Sequence, residues 1–468
     1  MEYTKESISR LVTAQKEYFA KGETLDAAFR LSMLNKLREA VKKQTPALIL
    51  ALGKDLSRAP QEAYLTDIGP LLAEIDETKK GLRRWARPET HFSGLACFPS
   101  LITKVYKMPY GTCLIISPFN FPVLLSLGVL VAAIAGGNTA VLKVSAKTPA
   151  CADAVAQLVA ETFPPEYVTV VRGGHDTADL LLEERFDKIF YTGSPRVAKH
   201  IMTEAAKNLT PVGLELGGET GNWCIVRKDA NLKDAARKIA FMKILNAGQV
   251  CININQVAVE ESVAERLVNE LKKVIGKQLG DAPENNPEYP RLISRAAWEK
   301  CAAEAEHYRE RIVCGGKGNA ESLRYAPTLI YPVGTDEEIV SHELFSPLLP
   351  VVPYKEEEEE RLLQTVASRE HGLALYVFTK DKAWARRVMQ TQQYGGGCVN
   401  EVCLHLMVKG MPFGGTGHSG MGAYHGVWGF REFTHPSTVL WGRTRFNLSL
   451  REHPYTEEKQ KILNMVEK

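Results

Sequence analysis

The sequence predicts an α/β fold: a doubly wound parallel sheet, a second α/β domain and a small arm of the kind used for oligomerisation. Two observations carry this. From Gly111 to Leu216, short apolar runs alternate with segments at helical spacing, the pattern of a parallel sheet with helical crossovers. At 468 residues the chain is also long for one core, so two or three domains are expected.

The elements follow in order. Residues 1–90 read as helices, and Leu25 to Lys42 has apolar residues at helical spacing with Arg and Lys between them. Thr112 to Ile116 reads as a buried strand. The apolar run Val123 to Ala135, bounded by Pro122 and Gly136, is too short to span a bilayer and reads as a buried helix. Strands are expected at Thr139 to Lys143, Tyr167 to Val171, Lys188 to Tyr191 and Val212 to Leu216. Helices are expected between them at Ala150 to Thr162, Asp176 to Glu184 and Arg196 to Asn208. Ligands of such a sheet bind at the carboxyl ends of its strands. A second α/β region runs from Gly218 to Met411, starting with a strand at Trp223 to Val226 and a helix at Leu232 to Leu245. The expected domains are 1–87 with 111–217, then 218–411. Residues 88–110 and 436–468 form an arm and tail, and 412–435 a glycine-rich loop and return segment. The tail carries Trp441, Phe446 and Leu448, too apolar to hang free, so subunit exchange is expected.

Composition excludes several classes. Apolar content of 45% and charged content of 24% describe a globular protein. A formal charge of +3 is too small at this size to imply a nucleic-acid or membrane partner. The single-sign run Glu356 to Glu360 reads as a solvated helix start. The first residues have no apolar core of a secretion signal, and Lys459, Lys461 and Lys468 offer no anchor, so a cytoplasmic protein is expected. Nine cysteines without C-x-x-C spacing point to reduced thiols rather than disulfides or zinc. Eleven histidines show no H-x-H or H-E-x-x-H arrangement, so no metal is expected.

Five segments are candidates for chemistry. Asn246-Ala247-Gly248-Gln249-Val250-Cys251 presents one thiol on a small, glycine-containing turn. Leu214-Glu215-Leu216-Gly217-Gly218 places a carboxylate at a strand end. A thiol and an acid so presented suit covalent catalysis followed by hydrolysis, although a cysteine also serves as apolar filler. Ser117-Pro118-Phe119-Asn120-Phe121-Pro122 is a rigid aromatic turn after a strand; the Asn120 amide can stabilise an oxyanion, or merely suit a turn. No G-x-G-x-x-G follows a strand. In its place stands Thr192-Gly193-Ser194-Pro195, where Gly193 allows close approach, Ser194 suits the helix cap and Pro195 the first helical position. Such a helix start attracts phosphate. The glycine-dense stretch Phe413 to Gly422 reads as a linker or, given its aromatic flanks, an ordered loop against a site.

Together these segments resemble the aldehyde dehydrogenase family, and its dimeric class 3 branch in particular. The resemblance is collinear from about residue 25 to 435 and includes Leu142-Lys143, Arg185 to Gly193, Leu209-Thr210-Pro211, His342-Glu343-Leu344-Phe345-Ser346-Pro347 and Pro412 to Gly426. It implies that 1–87 with 111–217 bind the cofactor, NAD or NADP, and that 218–411 is the catalytic domain. It implies Cys251 as nucleophile, Asn120 with the Cys251 N–H as oxyanion donors and Glu215 as general base, releasing the free carboxylic acid. For the cofactor it implies Lys143 at the adenosine ribose, Gly193 and Ser194 near the pyrophosphate, and Glu343 and Phe345 at the nicotinamide ribose and ring. A homodimer and a small aldehyde substrate are implied as well.

The sequence departs from the family pattern in three places. Glu219 replaces a common lysine after the two glycines, and Ala198 a common glycine in the helix after Ser194. Ala146 stands where NAD-preferring relatives often carry a ribose-binding glutamate, with Lys147 beside it. Loss of that carboxylate removes both its attraction for ribose hydroxyls and its repulsion of a 2′-phosphate, so NADP is expected to be accepted. Two alternatives remain: a CoA-acylating semialdehyde dehydrogenase, against which Glu215 counts, and a silent structural relative, against which Cys251, Glu215 and Asn120 together count. Phe121 and Val402 to Met407 are expected to line the substrate tunnel. No arginine is placed for a carboxylate-bearing substrate, which favours aliphatic or aromatic aldehydes.

Overall fold

Two sheets of mostly parallel strands organise the chain in the computed structural model, which describes residues 3–94, 97, 99–445 and 449–466. The first has six strands in the order Gly420–Met421, Val212–Leu216, Lys188–Gly193, Thr112–Ile116, Thr139–Lys143, Val168–Val171. The five strands expected from the sequence run parallel, and Gly420–Met421 adds an antiparallel edge. The chain builds outward from Thr112–Ile116 on one side, then crosses to Lys188–Gly193 on the other. That reversal opens a crevice at the carboxyl ends of these two strands. Asn120 follows one of them and Ser194 the other.

The helix Leu124–Gly136 is buried along its whole length, as its uniformly apolar sequence requires. The helix Ala27–Leu56 is longer than the charge pattern predicts and runs through Pro46. Leu48, Leu52 and Leu56 beyond the proline are fully buried, and this packing outweighs the hydrogen bond that proline removes.

The second sheet has seven strands in the order Ile312–Cys314, Thr328–Ile330, Leu348–Tyr354, Ile254–Glu260, Asn222–Val226, Ala374–Phe378, Gly396–Val399. All pairings are parallel except that of the edge strand Ile312–Cys314. Asn222–Val226 and Ile254–Glu260 lie side by side, and the Cys251 turn enters the second of them.

A third sheet joins Glu89–Phe92, Ile102–Pro109 and Thr434–Trp441. The arm and the start of the tail therefore pair within one chain, in continuous register from Thr434 with Pro109 to Trp441 with Ile102. Phe446 and Leu448 lie outside the described residues. Of the acidic run, Glu359 is not solvated: it is buried and paired with Arg227 at 2.8 Å, and it accepts from Trp384 Nε1 at 2.6 Å. Among the described residues, no helix is long and apolar enough to cross a membrane.

Candidate active site

The turn that carries Cys251 is held in a conformation the chain does not adopt freely. After the helix Leu232–Ile244, Asn246 and Ala247 take left-handed backbone angles, with φ of 48° and 50°, and Gly248 follows at 75°. Non-glycine residues in that region cost on the order of 1–3 kcal/mol each and persist where surroundings over-determine them. Here the Asn246 N–H donates to Glu62 Oε1 at 2.9 Å, and Asn246 Nδ2 donates to the carbonyls of Asn120 at 3.1 Å and Gln249 at 3.0 Å. Gln249 Nε2 donates to the Asn246 and Arg291 carbonyls, both at 3.0 Å. A side chain at Gly248 would come within 2.2 Å of the Ser346 carbonyl. Beyond the turn, Asn222 Nδ2 donates to the carbonyls of Cys251 and Asn253, both at 2.8 Å, and the Tyr376 hydroxyl to that of Ile252 at 2.7 Å. Cys251 itself is half-buried at the end of this scaffold.

Asn120 is tied to the same turn. Its Nδ2 donates to the Gln249 carbonyl at 3.2 Å, which leaves the second N–H of the amide for a ligand. Its backbone carbonyl accepts from the Arg58 guanidinium. Arg58 has no exposed side-chain surface. It pairs with Asp67 at 2.5 Å, donates to Asn246 Oδ1 at 3.2 Å and lies over the Phe121 ring at 4.4 Å. Asp67 Oδ1 in turn accepts from the N–H groups of Val123 and Leu124 at 3.1 and 2.9 Å, where the buried helix begins. Arg58, Asp67 and Glu62 gave no sequence signal, because they sit in an ordinary charged stretch whose partners lie far along the chain.

Glu215 is 3% exposed, and its Oε2 has no hydrogen-bond partner among the described residues. Burial, reinforced by the like charge of Glu432, raises its carboxyl well above the usual range. Glu432 is bound to Lys188 Nζ at 2.5 Å. The backbone around Glu215 is fixed from both sides, by Thr192 in the parallel strand and Gly420 in the antiparallel one. The Cys251 thiol is pushed up to about 12 by burial and by the carboxyls of Glu215 and Glu343; the Ile252 and Cys251 N–H groups partly offset this. Burial likewise raises Glu343 to about 8. The Glu343 carboxyl packs against Gly217, where a Cβ would come within 2.0 Å of it, so this glycine admits the acid. Phe345, at φ 48°, meets Phe119 edge-to-face at 5.9 Å. The structure thus brings Cys251, Asn120, Glu215 and the Glu343–Phe345 segment to one place.

The remaining predicted residues lie along the carboxyl edge of the first sheet. Lys143 is buried, and its Nζ donates to the carbonyls of Val144 at 2.9 Å and Gly173 at 2.7 Å; burial lowers it to about 8. Ala146 and Gly173 line a cleft of about 650 Å³ between the helices Pro149–Thr162 and His175–Leu182. Lys147 does not line it, but lies over the Phe119 ring at 5.3 Å. Gly193 is close against the Tyr191 hydroxyl, which a Cβ there would approach to 2.1 Å. Pro195 opens the helix Pro195–Ala206 as expected, but the Ser194 side chain makes no cap. The Tyr191 hydroxyl accepts from the Ser194 N–H at 2.8 Å, and Ser194 lies exposed at the helix start. A cleft of nucleoside size, an exposed serine at a helix start and an acid at the far end fit a dinucleotide.

Comparison with known proteins shows the family. The aldehyde dehydrogenase family matches residues 1–439. The chain is 36% identical over 442 residues to 4,4′-diaponeurosporen-aldehyde dehydrogenase of Staphylococcus aureus, covering 94% of this chain and 95% of that protein. It is 33% identical over 442 residues to the dimeric NADP-preferring aldehyde dehydrogenase of Rattus norvegicus, covering 93% and 94%. A substrate-bound structure of the Staphylococcus aureus enzyme AldH superposes with a TM-score of 0.94 at 35% identity, covering 100% of both chains. The chain belongs to the aldehyde dehydrogenase family, and is an oxidoreductase that oxidises aldehydes with NAD or NADP.

Proposed function

We propose that Cys251 is the nucleophile, that Asn120 Nδ2 and the Cys251 N–H bind the developing oxyanion, and that Glu215 activates the hydrolytic water. The observation that carries this is the buried, unpartnered Glu215 Oε2 within electrostatic reach of the Cys251 thiol. The Cys251 thiol loses its proton to solvent, and the sulfur attacks the aldehyde carbon to give a thiohemiacetal anion, its oxygen held by the two donors. Bound NAD or NADP supplies the acceptor for the hydride that leaves this carbon, and a thioester to Cys251 remains. Glu215, once deprotonated, takes a proton from water as the water oxygen adds to the thioester carbon. The carbon–sulfur bond then breaks, the thiolate is restored and the free acid departs. Hydrolysis is favoured over transfer to CoA because a base is already in place at the thioester.

The cofactor is held by residues along the sheet edge: Ala146 and Gly173 beside the adenosine, with Lys143 fixing the Gly173 carbonyl; Gly193 and Ser194 at the pyrophosphate; Glu343 and Phe345 at the nicotinamide end. NADP is accepted, a reading supported by Ala146 and by the cleft beside it. The domains are 1–87 with 111–217 for cofactor, 218–411 for catalysis, and the arm and tail for assembly. A homodimer is supported by the exposed Val439, Leu440 and Trp441 on the arm sheet and by the rat relative described as dimeric. A cytoplasmic location is supported by the scatter of nine cysteines without C-x-x-C spacing, which suits a reducing compartment. A monomeric mass at micromolar concentration would contradict the dimer.

The test follows reduced-nicotinamide absorbance with a panel of aldehydes, NAD or NADP, and the variants Cys251→Ala and Glu215→Gln. Turnover by the unaltered chain, none by the alanine variant and at most a single burst by the glutamine variant are expected. Steady turnover by Glu215→Gln, or product formation that requires CoA, would overturn the hydrolytic reading. A kcat/KM better with NAD by about a hundredfold, about 2.7 kcal/mol, would overturn the acceptance of NADP.

A further inference from the structure

The cleft beside Ala146 holds one cation among its described lining residues. Arg172 directly follows the strand Val168–Val171, next to Gly173, and its guanidinium pairs with Asp153 on the helix Pro149–Thr162. The other two basic groups nearby are committed elsewhere. Lys143 spends its ammonium on two backbone carbonyls, and Lys147 lies over Phe119. Ser145 and Ala146 leave the neighbouring wall without a carboxylate, and Asp153 and Asp176 are the acids that line the space.

We propose that Arg172 recognises the 2′-phosphate of NADP, and that Asp153 is an internal anion that occupies the guanidinium when no phosphate is there. This rests on the placement of the adenosine in this cleft. Arginine is the side chain suited to the task, because its planar fork matches a phosphate with two parallel hydrogen bonds. The Arg172–Asp153 pair is exposed on both sides, at 48% and 65% of the side chains. Such pairs contribute little to stability, so exchanging a carboxylate for a doubly charged phosphate meets little resistance. With NAD, which has no charge at this position, Arg172 stays on Asp153 and the two cofactors share one site. The freed Asp153 faces the phosphate and repels it, as does Asp176 in the cleft lining, so both acids limit the preference for NADP.

The experiment is titration calorimetry of the full chain with 5′-AMP and with adenosine 2′,5′-bisphosphate, which differ only in the 2′-phosphate. Arg172→Gln is expected to weaken the bisphosphate by about tenfold or more and to leave 5′-AMP within about twofold. Asp153→Asn is expected to tighten the bisphosphate and leave 5′-AMP unchanged. Circular dichroism of each variant checks that the fold is intact. Equal weakening of both ligands by Arg172→Gln, or no change in either, overturns the assignment of Arg172 while the cleft remains the adenosine site. Weaker 5′-AMP binding by Asp153→Asn makes Asp153 a ribose ligand and overturns its part as stand-in. Failure of either nucleotide to bind the unaltered chain overturns both this inference and the cofactor placement beneath it.

Discussion

The Arg58 guanidinium donates to the backbone carbonyl of Asn120, across 62 residues of sequence and with no water-exposed side-chain surface on the arginine. The same guanidinium reaches Asn246 Oδ1 and Asp67. One buried cation therefore fixes the carbonyl of the proposed oxyanion donor and the strained turn that delivers Cys251.

Arg58→Met should damage both stability and activity. Removing one member of a buried ion pair leaves the other charge uncompensated and costs about 3–5 kcal/mol. Asp67 keeps its two backbone donors, which places the expected loss toward the lower end. Urea unfolding measures it. In protein that remains folded, kcat/KM should fall by about a hundredfold, the effect of misplacing a reacting group by an ångström or so. Unchanged kcat/KM in a destabilised variant would show that Arg58 supports the fold without orienting Asn120.

The pH dependence of thioester hydrolysis should report the surroundings of Glu215. Its carboxyl is raised above the usual range, so the neutral form persists well into the range where an ordinary glutamate is ionised. The base form then accumulates, and hydrolysis accelerates, as pH rises through that raised value. Glu432 contributes to the shift through its negative charge. Glu432→Gln removes that charge and leaves Lys188 unneutralised, and both changes favour the Glu215 carboxylate. The rise in single-turnover hydrolysis rate should move to lower pH in this variant. Movement to higher pH, or none, would dissociate Glu432 from the step.

How much of this was legible depended on whether the signal was local. The parallel strands were readable because strands buried on both faces are near-continuous apolar runs, and the switch in strand order lies where Asn120 and Ser194 follow them. Cys251 and Glu215 were readable as residues at turns and strand ends. Arg58 and Asp67 were not, since a buried ion pair at positions 58 and 67 looks like a solvated one until the helix at Val123 is seen to cover it. The contact of the Tyr191 hydroxyl with the Ser194 N–H was hidden for the same reason. Serine fits the cap by type, but its side chain makes no cap in the fold. Lys147 was misleading in the opposite sense, adjacent to Ala146 in sequence yet spent on Phe119 in space. The edge strand Gly420–Met421 was hidden by its composition, since glycine-dense segments carry no strand pattern.

That edge strand gives a third expectation. Gly420 pairs with Glu215 at a φ of 150°, and a Cβ there would come within 2.4 Å of the Leu214 carbonyl. Gly420→Ala should cost about 1–3 kcal/mol through backbone strain and crowding. The displaced neighbour is the strand of Glu215, so hydrolysis should slow more than the initial hydride burst. Burst amplitude and steady-state rate, measured in one trace, separate the two. Equal slowing of both would place the damage at Cys251 instead.

A last expectation concerns Lys243, which ends inside the protein with no charged partner at bonding distance among the described residues. It is 1% exposed, and its Nζ donates to the Ser346 carbonyl at 3.5 Å, a long contact. Burial lowers its ammonium from the ordinary 10.5 to about 7. A lysine depressed in the folded state binds fewer protons there than in the unfolded chain between these two values, so its penalty is complete below about 7 and fades as pH rises toward 10.5. Lys243→Met keeps the length and removes the charge. Replacing a buried charge with an apolar side chain of similar volume stabilises on the order of 1–4 kcal/mol. Urea unfolding of both chains at pH 6 and pH 9.5 should show the variant more stable at the lower pH, with a smaller advantage at the higher. The Ser346 carbonyl also packs against Gly248 in the Cys251 turn. A variant that is more stable but slower would therefore mean that the lysine is retained for the position of that turn, at a cost in stability. A variant less stable at pH 6 would mean that the ammonium is satisfied where it lies, and the argument from burial would fail.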